Sequence, residues 1–232
     1  MKKRLEVNIP SSWQDIALKD YLAYQKALKP YEGVEEYNSI VFEKAINHFC
    51  NISTEDLYTI PVENYNALYS RVKDVFHEGY DLPLVHRFTI LSTEFGFIPN
   101  LNEMSYGEYL DLVTYFKDMW SNMPIIMSIL YRPVVESNNN TYSISSYKGT
   151  NQNIEELFKE KLTMDIVWGA IGFFLNLQRD LLNGILIFLS KEMKNLTTDT
   201  ALLETLTRNG QDISQLQSLL TETSQNLKKL QA

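Results

Sequence analysis

Near the middle of the chain the spacing of apolar side chains changes, and that change limits the fold more than any other feature of the sequence. Up to Gly79 the apolar residues recur at three and four, the period of a helix. After Leu82-Pro83 they alternate, Phe88 and Ile90 with Arg87 and Thr89, then Phe95 and Phe97 about Gly96. Two short runs of period two, joined by Leu91-Ser92-Thr93-Glu94, predict a β-hairpin near residues 87–98. The junction holds neither Asn-Gly nor Asp-Gly, so its turn type is open. Asn102 or Ser105 then caps a helix carrying Tyr106, Tyr109, Leu110, Val113, Tyr115 and Phe116. One hairpin with helices on both sides predicts a mainly α fold with a small β-hairpin, a helix-dominated α+β class.

The helices before the hairpin are well punctuated. Val7, Ile9 and Pro10 are extended, and Ser12 or Asp15 opens a helix whose apolar residues run from Ile16 and Leu18 to Leu28, before Pro30. A second helix spans roughly residues 35–50. A third starts at the Ser53-Thr54-Glu55-Asp56 cluster and ends at Pro61. The fourth, Val62 to Gly79, turns Tyr65, Leu68, Tyr69, Val72, Val75 and Phe76 inward. Beyond the hairpin, Pro124–Tyr131 is apolar nearly all round, which marks a buried helix. Val134 to Tyr147 is irregular or a small ribbon, and Ile154–Lys161 is a short charged helix. These elements make a helical domain over residues 1–195.

Two further stretches point to association. Met164–Leu189 is the most apolar run, with Trp168, Phe173 and Phe174 as its large side chains. Its length suits a membrane span, but Gln178, Arg179 and Asp180 lie within it. A charge at the bilayer centre costs about 2.5 kcal/mol or more. A core helix, or a helix buried between subunits, fits better than insertion into a membrane during delivery, and Gly169, Gly172 and Gly184 permit close packing. Residues 196–232 form a C-terminal helical extension. In it Ile213, Leu216, Leu220, Thr223, Leu227 and Leu230 recur at three and four, the seam spacing of a coiled coil. A helix that binds a partner and a terminal helix lying on its own domain both satisfy that pattern.

Nothing in the residues calls for catalytic chemistry. His48, His77 and His86 share no ligand spacing with one another or with an acid, so no metal is expected. Cys50 closes an apolar helix face and is expected to be a small buried group rather than a nucleophile. The glycines are scattered singly and cradle no phosphate, so no cofactor is expected. Acids outnumber bases 29 to 21, a net charge of −8 that disfavours nucleic-acid wrapping. The single cysteine fits synthesis in a reducing cytoplasm, and the polar residues after Lys2-Lys3-Arg4 do not make a signal-peptide core.

In order along the chain stand PSSWQDIALKDYLAY, RFTILSTEFGFIPNLNEMSYGEYLDL, MPIIMSILYRPV, TYSISSYKGT and LTMDIVWGAIGFFLNL. This series resembles a family of structural and assembly proteins from tailed phages of Bacteroidetes hosts, closest to the crAss-like, short-tailed phages. It covers residue 10 to about 190 and includes no catalytic motif. The resemblance implies a non-enzymatic virion protein made in the host bacterial cytoplasm. It would be a ring component near the portal, neck or tail, or a packaged cargo protein. Its implied partners are portal, tail or ring subunits and further copies of itself, with genomic DNA passing nearby. A tail-assembly chaperone absent from the mature particle, and an ejected membrane-active protein, are the alternatives. Trp168, Phe173, Phe174, Ile213, Leu216, Leu220, Leu227 and Leu230 are the expected subunit or partner contacts.

Overall fold

The computed structural model describes residues 7–33, 37–77, 82–138 and 141–177. The chain divides into two units, Met1–Ala170 and Ile171–Ala232. In the first, α1 (Leu18–Leu28), α2 (Tyr37–Phe49), α3 (Thr54–Leu57) and α4 (Val62–His77) precede a hairpin of β1 (Arg87–Ile90) and β2 (Thr93–Phe97). There follow α5 (Tyr106–Tyr115), α6 (Met119–Leu130), β3 (Tyr131–Ser137), β4 (Tyr142–Ile144) and α7 (Gln152–Lys161), and residues 164–170 are helical. In the second unit residues 171–177 are helical. The fold is mainly α with a small antiparallel sheet. The boundary expected at 195/196 lies outside the described residues.

The sheet is larger than a hairpin. Its four strands run in the order β1-β2-β3-β4, all antiparallel, with Gly96 opposite Arg87 on one side and Arg132 on the other. Tyr131, the last residue of the expected apolar helix, instead opens β3 and is followed there by Arg132 and Pro133. α6 stops at Leu130, and the Leu130 carbonyl accepts from Ile98 N at 3.0 Å. The stretch after Val134 is the predicted ribbon, with an irregularity between Val134 and Glu136.

The hairpin turn is tighter than the four residues expected, because Thr93 and Glu94 already pair within β2. Only Leu91 and Ser92 turn, with φ of 47° and 67°. Two positive φ values match the twist of the flanking strands, and Asn-Gly is the sequence that accepts them at least cost. Leucine there is strained by its Cβ, and 74 % of its surface is exposed. Leu91→Asn with Ser92→Gly is therefore expected to raise unfolding free energy by about 1–2 kcal/mol, measured by urea denaturation; no gain would mean that the leucine makes up for its strain.

Helix ends follow local chemistry. Ser12 caps the 3-10 turn Trp13–Asp15 rather than α1, which begins three residues after Asp15. The delay has a tertiary cause: Ile16 and Ala17 are extended, and Ala17 bridges to Thr163. Leu18 N donates to Leu162 O at 2.8 Å, and Met164 N donates to Ile16 O at 2.9 Å. Ser53 caps α3 as expected, and Asn51 takes the left-handed conformation (φ 53°) that ends the chain's run through α2.

Two aromatic clusters fill the first unit. In one, Trp13 meets Phe76 and Trp168 at 5.3 and 5.8 Å, and Tyr21 meets Trp120 at 4.9 Å. In the other, Phe158 of α7 packs on Phe95 at 4.9 Å, and Tyr131 packs on Phe88 and Phe97 at 5.0 and 5.2 Å. The Tyr131 hydroxyl is satisfied by donating to Val85 O at 2.7 Å. α4 buries Leu68, Val72 and Val75, the stripe its spacing predicts. Tyr142 lies across Gly96, where an added Cβ would come within 2.4 Å of its ring, and its hydroxyl donates to Phe97 O.

Candidate functional site

α5 begins with a capping box. Glu108 N donates to Ser105 Oγ at 3.3 Å, and Glu108 Oε2 accepts from Ser105 N at 2.6 Å. This fixes the Glu108 side chain against the helix start, where it is only 4 % exposed. Arg132 of β3 reaches it, Nη1 lying 2.5 Å from Oε1. Burial works to raise the Glu108 carboxyl, but the bonds from Ser105 and the Arg132 charge together outweigh it and hold the group below the usual carboxylate range. The Arg132 guanidinium also stands over the ring of Tyr147, 5.7 Å from its centre. The Tyr147 hydroxyl donates to Asp111 Oδ2. Burial, then that bond, push the Tyr147 phenol well above its ordinary value. Glu108, Asp111 and the buried Leu112 therefore share the inward side of α5.

The rest follows from helical spacing. With positions 108, 111 and 112 turned in, positions 106, 109, 110 and 113 must turn out. Tyr106 is 77 % exposed, Tyr109 57 %, Leu110 48 % and Val113 45 %. The sequence names these residues on the helix without assigning them a face, and the structure turns them outward. The physical reason is the buried ion pair: a carboxylate engaged by Ser105 and Arg132 cannot be turned to solvent without leaving a buried guanidinium uncompensated. The outward stripe exposes apolar surface on the order of 400 Å², within the ~300–600 Å² of the largest patch on a typical monomer and commonly functional. At its C-terminal end stands the exposed Lys117.

A second apolar surface is concave. A groove of about 690 Å³ is lined by Ile9, Ile52, Ile60, Pro61, Ala67 and Leu68, with Asp56 among its polar groups. It lies between the N-terminal extended segment and the α3–α4 corner. Next to it in the chain, Tyr58 is 73 % and Val62 75 % exposed. Glu55 and Glu63 are exposed at the same corner. α5 packs on α6, whereas α3 and α4 pack on α2, so the two surfaces belong to different elements.

No family model, curated protein or solved structure matches the chain.

The residues expected to make partner contacts are placed unevenly. Trp168 is 3 % exposed and belongs to the aromatic core with Trp13, Tyr21 and Trp120, so it presents no outward surface. Phe173 and Phe174 of the second unit are half-buried and pack edge to face at 5.4 Å. Ile213, Leu216, Leu220, Leu227 and Leu230 lie outside the described residues, as does the end of Met164–Leu189. Among the described residues no helix is long and apolar enough to cross a membrane. Cys50 is buried, and burial pushes its thiol up to about 11. Burial, with Lys44 nearby, holds the half-buried His48 below its ordinary value. His77 and His86 are exposed. Among the described residues no group of three His, Cys, Asp or Glu is placed to hold a metal ion.

The surface that sequence reasoning missed is the face of α5. One signal for it was present: Ser105-x-x-Glu108 is a capping box, and a box glutamate is drawn toward the helix start. That Arg132 would bury it was not readable locally.

Proposed function

We propose that the chain is a non-enzymatic phage virion protein, a component of a ring near the portal, neck or tail, held there by contacts with copies of itself and with neighbouring virion proteins. The observation that carries this reading is the outward apolar face of α5. Four large side chains at helical spacing face solvent, while a glutamate on the same helix is buried. Such a face is unfavourable on an isolated chain, and a subunit contact removes it from water. The resemblance of the ordered sequence strings to phage structural proteins supplies the setting. The acidic net charge suits a component past which DNA moves, since like charges repel.

The test is quantitative mass spectrometry of purified particles of the phage that encodes the chain, counting it against the portal protein. A whole-number ratio is expected. Absence from particles, with abundance in infected cells, would overturn the reading in favour of an assembly chaperone. Variable, non-integral amounts would favour loosely packaged cargo.

A further inference from the structure

We infer that the α5 face of one copy seats in the α3–α4 groove of the next, so that copies join head to tail. This rests on the ring reading above and names the two surfaces that would close the ring.

Three observations lead to it. The first is shape. The α5 face is convex, with anchors at 106, 109, 110 and 113, the spacing by which a helix enters an apolar groove. The groove at Ile52, Ile60 and Leu68 is concave, and its volume of about 690 Å³ accepts more than one such side chain. Two grooves cannot fill each other, so their natural occupant is a ridge.

The second is charge. The acids of α5, Glu108 and Asp111, are engaged inward by Arg132 and Tyr147, which leaves the outward stripe free of acids; beyond it the exposed Lys117 and Asp118 balance each other. The groove corner carries Glu55, Asp56 and Glu63. In a chain of net charge −8, a stripe without acids is a surface that does not repel that corner.

The third is area. The stripe together with the groove and its neighbours Tyr58 and Val62 approaches the ~1,000 Å² that a specific interface needs. Because the two surfaces differ, each copy keeps one of each after pairing. Such contacts continue into a closed ring or a filament, whereas a matched pair of identical faces stops at two.

Mixing two variants of the full chain tests the contact. Leu110→Asp places a charge on the ridge, and Ala67→Glu places one in the groove; both sites are exposed helix positions. Circular dichroism and melting temperature should match wild type in each. Wild type should form oligomers by light scattering coupled to size exclusion. Each variant alone should be monomeric, its association weakened about 30-fold or more. Mixed one to one, the intact ridge of Ala67→Glu meets the intact groove of Leu110→Asp. A heterodimer that grows no further is then expected.

A monomeric wild type, assembly of either variant alone, or a mixture that stays monomeric would overturn the inference. Assembly of Ala67→Glu alone, with Leu110→Asp monomeric, would mark a two-fold contact between identical α5 faces. The virion reading is judged separately by particle composition. A chain present in particles but failing the mixing test would keep its place there and use another interface. One absent from particles but passing it would keep the contact without the virion role.

Discussion

Arg132→Met should destabilise the protein by about 3–5 kcal/mol at neutral pH, the usual cost of leaving a buried charge without its partner. Glu108 would keep its bonds to Ser105 but lose the guanidinium on its other side. Met retains most of the arginine's volume, so the loss reports charge more than cavity. The pH dependence separates the two. In the folded wild type the Glu108 carboxyl is held below its usual range. Its contribution is therefore present above the unfolded carboxylate pKa and is lost as pH falls through the folded value. In the variant, burial is no longer opposed by Arg132 and the protonated form gains, so the gap to wild type should narrow in acid. Urea denaturation at neutral and acid pH reads this directly. An equal loss at both would assign the effect to packing. Glu108→Met combined with Arg132→Met should recover much of the loss, because a well-packed apolar pair can replace a buried ion pair. The double variant would also release α5 from the constraint that turns Tyr106, Tyr109, Leu110 and Val113 outward.

Gly169→Ala should also destabilise, by about 1–3 kcal/mol, even though alanine is the better helix former. Propensity alone favours the substitution by about 1 kcal/mol. Against it, a Cβ at Gly169 would stand 2.5 Å from the Pro83 carbonyl oxygen and 3.2 Å from its carbon. Both atoms are backbone, so no rotamer change can move them aside, and the helix or the 82–86 segment must shift. Overpacking of that kind outweighs the propensity gain. Thermal melts with matched denaturant curves decide the sign: a rise in stability would mean that the Pro83 segment yields freely.

Much of the fold was legible because it depends on local spacing. The four N-terminal helices, the hairpin, the capping serines at 53 and 105 and the buried run of α6 all follow from period, breakers and caps, and each is found. The close packing expected at Gly169 is found too, though against the Pro83 backbone. Misread elements share a different cause. α1 starts late because Ala17 bridges to Thr163, far along the chain. Tyr131-Arg132-Pro133 is a strand because β2 offers it an edge to pair with. Trp168 reads as sticky surface when its neighbours are unknown, and as core once Trp13 and Trp120 surround it.

The composition and apolar periods of this chain determined by themselves that it would be helix-dominated with one small antiparallel element, since each residue's contribution to those patterns comes from its near neighbours. Which side of α5 faces the solvent was decided only in the tertiary structure. Both sides of that helix carry apolar residues, and local spacing treats them alike. The choice was made by a single long-range contact, Arg132 on β3 meeting Glu108 at the helix start. A buried charge tolerates no other arrangement, whereas four apolar side chains facing water cost less than one unpaired guanidinium in the interior.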